Sequence, residues 1–208
     1  MFVLNRDHFR GSNEAHLNNF VTCWERYYRG SVPISSADTT LINYEVELNI
    51  QSDLTEQNVT RLLRWKDPRM LTHLKVNGTD NHRVRNVLNK IRALNQFRNG
   101  SINRQTFAQT TAGIFPNGIV WQLFLFHIAR PWEWPIADQH VFRAHAALFQ
   151  QPAPQTLDAI ELYRNNFACL AQAFQGISVD CRVETVRRNK RLDDALMSYG
   201  QFLLAYDR

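Results

Sequence analysis

Residues 119–130, IVWQLFLFHIAR, are apolar on nearly every side of a helical turn. A helix with one apolar stripe lies on a surface, but a helix without a polar face has to be enclosed by other elements. The chain therefore has to supply a shell around this segment, and most of the remaining sequence reads as that shell. In 13–30, Leu17, Phe20, Val21, Trp24, Tyr27 and Tyr28 recur at steps of three and four, with Gly30 as the stop. In 52–68, Asp53 or Thr55 caps a stripe of Val59, Leu62 and Leu63, and Pro68 breaks it. A shorter helix is expected over 68–76, stopping at Asn77–Gly78. A longer one over 79–100 buries Val84, Val87, Leu88, Ile91, Leu94 and Phe97, turns its arginines outward and ends at Gly100.

Residues 104–113 read as a weaker helix, and GIFPNG (113–118) reads as a tight turn, because glycine, proline and asparagine punctuate regular structure. Pro131 ends the enclosed helix. Helices follow over 139–150, over 152–176 with prolines at the start and Gly176 at the end, and over about 183–207, where Leu192, Ala195, Leu196, Tyr199, Phe202, Leu203 and Tyr206 share a face. One segment dissents: 44–50 alternates as a strand does, with Glu45 and Glu47 on the other side, and is expected to be an extended connector or small β element. The expected architecture is all-α, a single compact unit of many helices.

Composition sets outer bounds. The 208 residues suit one large domain or two lobes sharing a core, and 44% apolar with 21% charged residues is ordinary for a globular protein. No apolar run reaches the roughly 20 residues of a membrane helix, and the opening MFVLNRDHFRGSNEAH has no signal-peptide layout, so a cytoplasmic protein is expected. Cys23, Cys169 and Cys181 form no zinc, redox or iron–sulfur spacing and are expected to be buried or neutral thiols. Phosphate-loop, dinucleotide and H-E-x-x-H motifs are missing, and His140 and His145, five apart, do not align on one ion. No metal or cofactor is expected. The formal charge is +5, and arginine dominates it: Lys66, Lys75, Lys90 and Lys190 are the lysines among 24 basic residues. Arginine forks suit phosphate, so a nucleic acid or nucleotide is a natural partner.

The segment PWEWPIADQHVFRAH (131–145) carries the chemistry. Asp138 precedes a helix, where its carboxylate can accept a backbone N–H and face the positive end of the helix dipole. That explains it fully as a cap. The same geometry favours the ionised form, and a fixed anion suits a reaction whose transition state turns cationic, such as cleavage of an N-glycosidic bond.

The order of tight turn, enclosed helix and Pro-x-x-Asp-x-His-Val-x-Arg (Pro135, Asp138, His140, Val141, Arg143) resembles the helix–hairpin–helix DNA glycosylase superfamily. LDDALMSYGQFL (192–203) is similar to the last-helix pattern Asp-x-Ala-Leu-x-x-x-Gly of bacterial relatives in the oxidised-guanine branch. The resemblance implies a two-lobed helical fold with the hairpin and the Asp segment at the lobe junction, extrusion of a nucleotide from the stack, and a hairpin gripping phosphate through Gly113, Phe115, Asn117 and Gly118. It implies that Asp138 stabilises the sugar cation and orients or activates the attacking nucleophile. Arg143 and Trp132 fall on the nucleic-acid side in this reading, although Arg143 and His140 also read as packing residues, and Trp132 and Trp134 as ring packing. Asp194 and Tyr199 fall near an extruded base, or else on an ordinary helix face. The basic run 182–191 follows phosphate or is a solvated face.

The departures from the family pattern are as definite. In either register of the turn, on Gly113 or on Gly118, the position of the lyase lysine holds Ile119, Val120 or Trp121. The resemblance therefore implies a monofunctional glycosylase that uses water and makes no Schiff base. Phe115 or Pro116 also replaces a hairpin glycine. A different class of function follows from those departures: a non-catalytic nucleic-acid or nucleotide binder on the same scaffold, as among divergent relatives in bacterial anti-phage defence. A purely structural helical protein, with Asp138 only a cap, is the third.

Overall fold

The structure is a computed structural model that describes residues 14–28, 43–67, 82–116, 118–154, 156–174 and 181–206. The helix expected over 68–76 and the stops at Gly30, Asn77–Gly78 and Gly176 lie outside them. Among the described residues every regular element is helical: α1 Glu14–Trp24 with a 3-10 turn Glu25–Tyr27, α2 Tyr44–Leu48, α3 Glu56–Lys66, α4 His82–Leu88, α5 Ile91–Arg98, α6 Arg104–Thr111, α7 Ile119–Ala129, α8 Gln139–Phe149, α9 Leu157–Ala173 and α10 Arg182–Tyr206. None of them is long and apolar enough to cross a membrane. The chain divides into two units. Residues 1–28 and 132–208 form one, and 29–131 form the other.

The inserted unit is organised around α7. Its residues 123–129 are all buried, while its first turn is half-buried. Phe126 meets Phe97 of α5 and Phe107 of α6 edge-on, and those two rings stack at 4.5 Å. Thr55 caps α3 through a reciprocal box with Asn58.

Three expectations need correction in this unit. Residues 44–48 are a helix rather than a strand. Asn43 accepts the Val46 N–H at its start, and Asn49 closes it in the left-handed region with φ 44°. The apolar alternation fails because Tyr44 and Leu48, four apart, are buried while Val46 is exposed. Glu47 is also buried, paired with Arg61 at 2.7 Å and bonded by the Asn58 amide at 3.1 Å. The helix expected over 79–100 is broken at Asn89–Lys90, where Lys90 leaves the helical basin (φ −108°, ψ 12°) and its N–H turns back to Val87 O. Arg98 points inward, not outward. It is 5% exposed and donates to the carbonyls of Leu48, Asn49 and Ile128 at 2.7, 2.6 and 3.1 Å, satisfying oxygens at two helix ends. Gly100 ends α5 as expected, at φ +85°.

In the other unit, α10 packs against α8, α1 and α9. Phe20 and Trp24 of α1 enclose the ring of Tyr199, at 5.5 and 5.3 Å, and Trp24 also meets Phe202. Leu192, Ala195 and Leu196 are buried as the shared face requires, but Tyr206 at its end is exposed, as is Tyr27. Thr156 caps α9. Of the cysteines, which were expected to be buried or neutral thiols, Cys23 is half-buried and Cys169 and Cys181 are exposed, so burial does not hold for them.

Candidate functional site

Asp138 is the N-cap of α8. Its backbone is extended (φ −147°, ψ 161°) and its Oδ1 accepts the His140 N–H at 2.9 Å. The four residues before it, Trp134–Ala137, are buried. Tyr163 donates to the Ile136 carbonyl at 2.9 Å, and the Arg164 guanidinium lies 4.8 Å above the Trp134 ring. The stretch of backbone leading to the carboxylate is thus pinned from α9, while Asp138 itself is half-buried.

Arg143, one turn into α8, donates from Nη1 to His140 Nδ1 at 2.9 Å and to the Gly200 carbonyl of α10 at 3.2 Å. A guanidinium only donates, so Nδ1 accepts and the imidazole carries no proton there. Gly200 is where the two helices touch: a β-carbon on it would stand 1.9 Å from the His140 carbonyl oxygen. Only glycine permits this approach, and it fixes which residues of α10 come near Asp138.

Two turns earlier α10 carries two carboxylates. Asp193 is buried, and Asp194 is largely enclosed and ion-paired with Lys190. Burial raises the Asp194 carboxyl above its ordinary range, and the Lys190 ammonium opposes that rise. Burial first, and carboxylate charges after it, raise two phenols above their ordinary range: Asp194, Asp193 and Asp138 act on Tyr28, and Asp193 and Asp138 on Tyr163. The contact of Lys190 with the Tyr28 ring was not legible in the sequence, because it is made only by the packing of the first helical segment on α10. Tyr199 is buried between Phe20 and Trp24 as a core ring, its phenol raised by burial. Trp132 is half-buried beneath Arg182, whose guanidinium carbon is 4.2 Å from the ring centroid.

The turn 113–118 belongs to the other unit. Gly113 is exposed, with open space where a β-carbon would stand. Phe115 is buried and stacks on Trp121 at 5.1 Å, and its carbonyl accepts both the Gly118 N–H at 3.1 Å and the Gln122 amide at 2.9 Å. The Ile114 N–H is bonded to Thr111 O. Gly113 and Gly118 do not adopt the positive φ that Gly100 does. Asn117 lies outside the described residues. Among the described residues, no three His, Cys, Asp or Glu side chains are grouped to hold a metal ion.

Searches of protein-family models, of curated proteins and of solved structures return no match to this chain.

Proposed function

We propose that the protein cleaves the N-glycosidic bond of a modified nucleotide, in the manner of a monofunctional glycosylase of the oxidised-guanine type, with Asp138 as the essential carboxylate. The observation that carries this reading is the state of Asp138: a carboxylate held in one orientation by the His140 N–H, on a pinned backbone, in a residue that is only half-buried. As the bond from C1′ to the base lengthens, its electron pair leaves with the base and the sugar becomes cationic. A fixed negative charge stabilises that cation without reorganising. Water then adds to C1′, and the proton it loses passes by way of Asp138 to the departed base. The helix after the turn offers no lysine, so base release leaves an abasic sugar rather than a covalent adduct.

The test is single-turnover incubation of the protein with oligonucleotides, single- and double-stranded, carrying oxidised guanine and other modified bases. Released base with an intact abasic strand supports the reading. A second reading, a non-catalytic nucleic-acid binder, is favoured by the missing lysine after the turn and by Phe115 or Pro116 in place of a hairpin glycine. It predicts salt-dependent binding to the same oligonucleotides with no base released.

A further inference from the structure

Charge is distributed unevenly along this chain. From Asn81 to Trp132, a quarter of the sequence, there is none of the chain's 19 acidic residues, yet seven arginines and lysines fall there. Two of the seven are used inside the fold. Arg98 serves the carbonyls described above, and Arg130 donates to the Phe97 carbonyl at 2.6 Å and lies over the Phe97 ring at 4.4 Å. The other five, Arg83, Arg85, Lys90, Arg92 and Arg104, lie on α4, α5, α6 and the break between the first two. Val84 and Val87 of α4 and Ala93, Leu94 and Phe97 of α5 are buried, and Phe97 stacks on Phe107 of α6. What the three helices turn outward is therefore the rest. Arg83, Arg85 and Arg92 are exposed, and every other exposed residue over 82–109 is histidine, asparagine, glutamine, serine, threonine or glycine.

We propose that this outward face of α4, α5 and α6 binds the phosphodiester backbone of a nucleic acid. An ordinary solvated face mixes charges of both signs. Here a basic stretch contributes no acid of its own, and the repulsion among its like charges is relieved by a polyanion. Arginine and lysine neutralise phosphates, while amide and hydroxyl side chains bond phosphate and sugar oxygens, so the contact fixes position and is indifferent to base sequence. The basic run on α10 is a poorer candidate, because its charges are met within the fold: Arg187 by Glu184 at 3.0 Å, Arg191 by Glu25 at 2.8 Å, and Lys190 by Asp194. This rests on the nucleic-acid partner common to both readings above, not on base release at Asp138.

The experiment is fluorescence anisotropy of a labelled mixed-sequence duplex across a range of salt concentrations, with wild type, Arg83→Gln, Arg92→Gln and Arg187→Gln. All three side chains are exposed, and each change removes one positive charge. We expect wild-type affinity to fall steeply with salt. Arg83→Gln and Arg92→Gln should each weaken binding severalfold and lower the steepness of log affinity against log salt by about 0.9, the value of one phosphate contact. Arg187→Gln should leave both unchanged, which an effect of net charge alone would not do. Wild-type protein that binds no duplex, or α4 and α5 variants that match Arg187→Gln, overturn the assignment. So does wild-type protein that binds phosphatidylserine vesicles in preference to the duplex. Base release from a lesion-bearing oligonucleotide, followed in parallel, reports on Asp138 separately. Release with unchanged salt slopes removes this surface alone; weakened binding in the two variants, with no release by wild type, removes the base-release reading alone.

Discussion

Gly200 of α10 lies against the carbonyl of His140 in α8, closer than any side chain would permit. This single approach registers the helix carrying Asp193 and Asp194 on the helix capped by Asp138, and Arg143 spans the crossing to the Gly200 carbonyl. A Gly200→Ala substitution puts a methyl into backbone, which no rotamer change relieves. The expected outcome is destabilisation of about 3 kcal/mol in denaturant unfolding, at the upper end for overpacking. Under the proposed function, any folded fraction should release base less well than wild type.

Arg98 gives the inserted unit its own test. Its guanidinium is the donor to three carbonyls at the ends of α2 and α7. Arg98→Met fills much of the same volume but leaves those oxygens buried without that donor. A loss of roughly 3 kcal/mol or more is expected from unfolding curves, since each unsatisfied buried acceptor costs about 1–3 kcal/mol.

His145 makes stability depend on pH. It is buried against Tyr163 and Phe149, with its Nε2 3.1 Å from the Asn166 amide, and burial lowers its pKa to about 4. The unfolded chain binds the proton near 6.5, so between pH 6.5 and 4 the unfolded state holds more protons than the folded one. Its neutral burial is fully tolerated above pH 6.5, and stability falls as pH drops towards 4. The contribution is roughly 2 kcal/mol after solvent screening. Melting curves of wild type and His145→Gln at pH 7.5 and 4.5 should show the smaller drop in the variant.

Much of the fold was legible because its signals are local. Thr55 and Asp138 cap helices where the sequence places them, Gly100 stops α5, and α7 is enclosed as its composition demands. The misreadings share a cause at longer range. Over 44–50, alternation and a four-residue repeat coincide on Tyr44 and Leu48, and the choice between them is made by Asn caps and by Arg98, about fifty residues on. Arg98 itself looks like an outward charge until the carbonyls that need it are known. In the candidate site, Asp138 stood out from its own segment. The lysine over the Tyr28 ring did not, because it is contributed by α10 and brought there only by packing.

The most direct measurement is base release by Asp138→Asn. Asparagine caps a helix about as well as aspartate, and its Oδ1 can still accept the His140 N–H, so the variant removes the charge and keeps the fold. If Asp138 stabilises a cationic sugar, single-turnover release should fall by at least about 100-fold at an unchanged melting temperature. A variant that releases base at the wild-type rate would contradict the account and leave Asp138 as a helix cap alone.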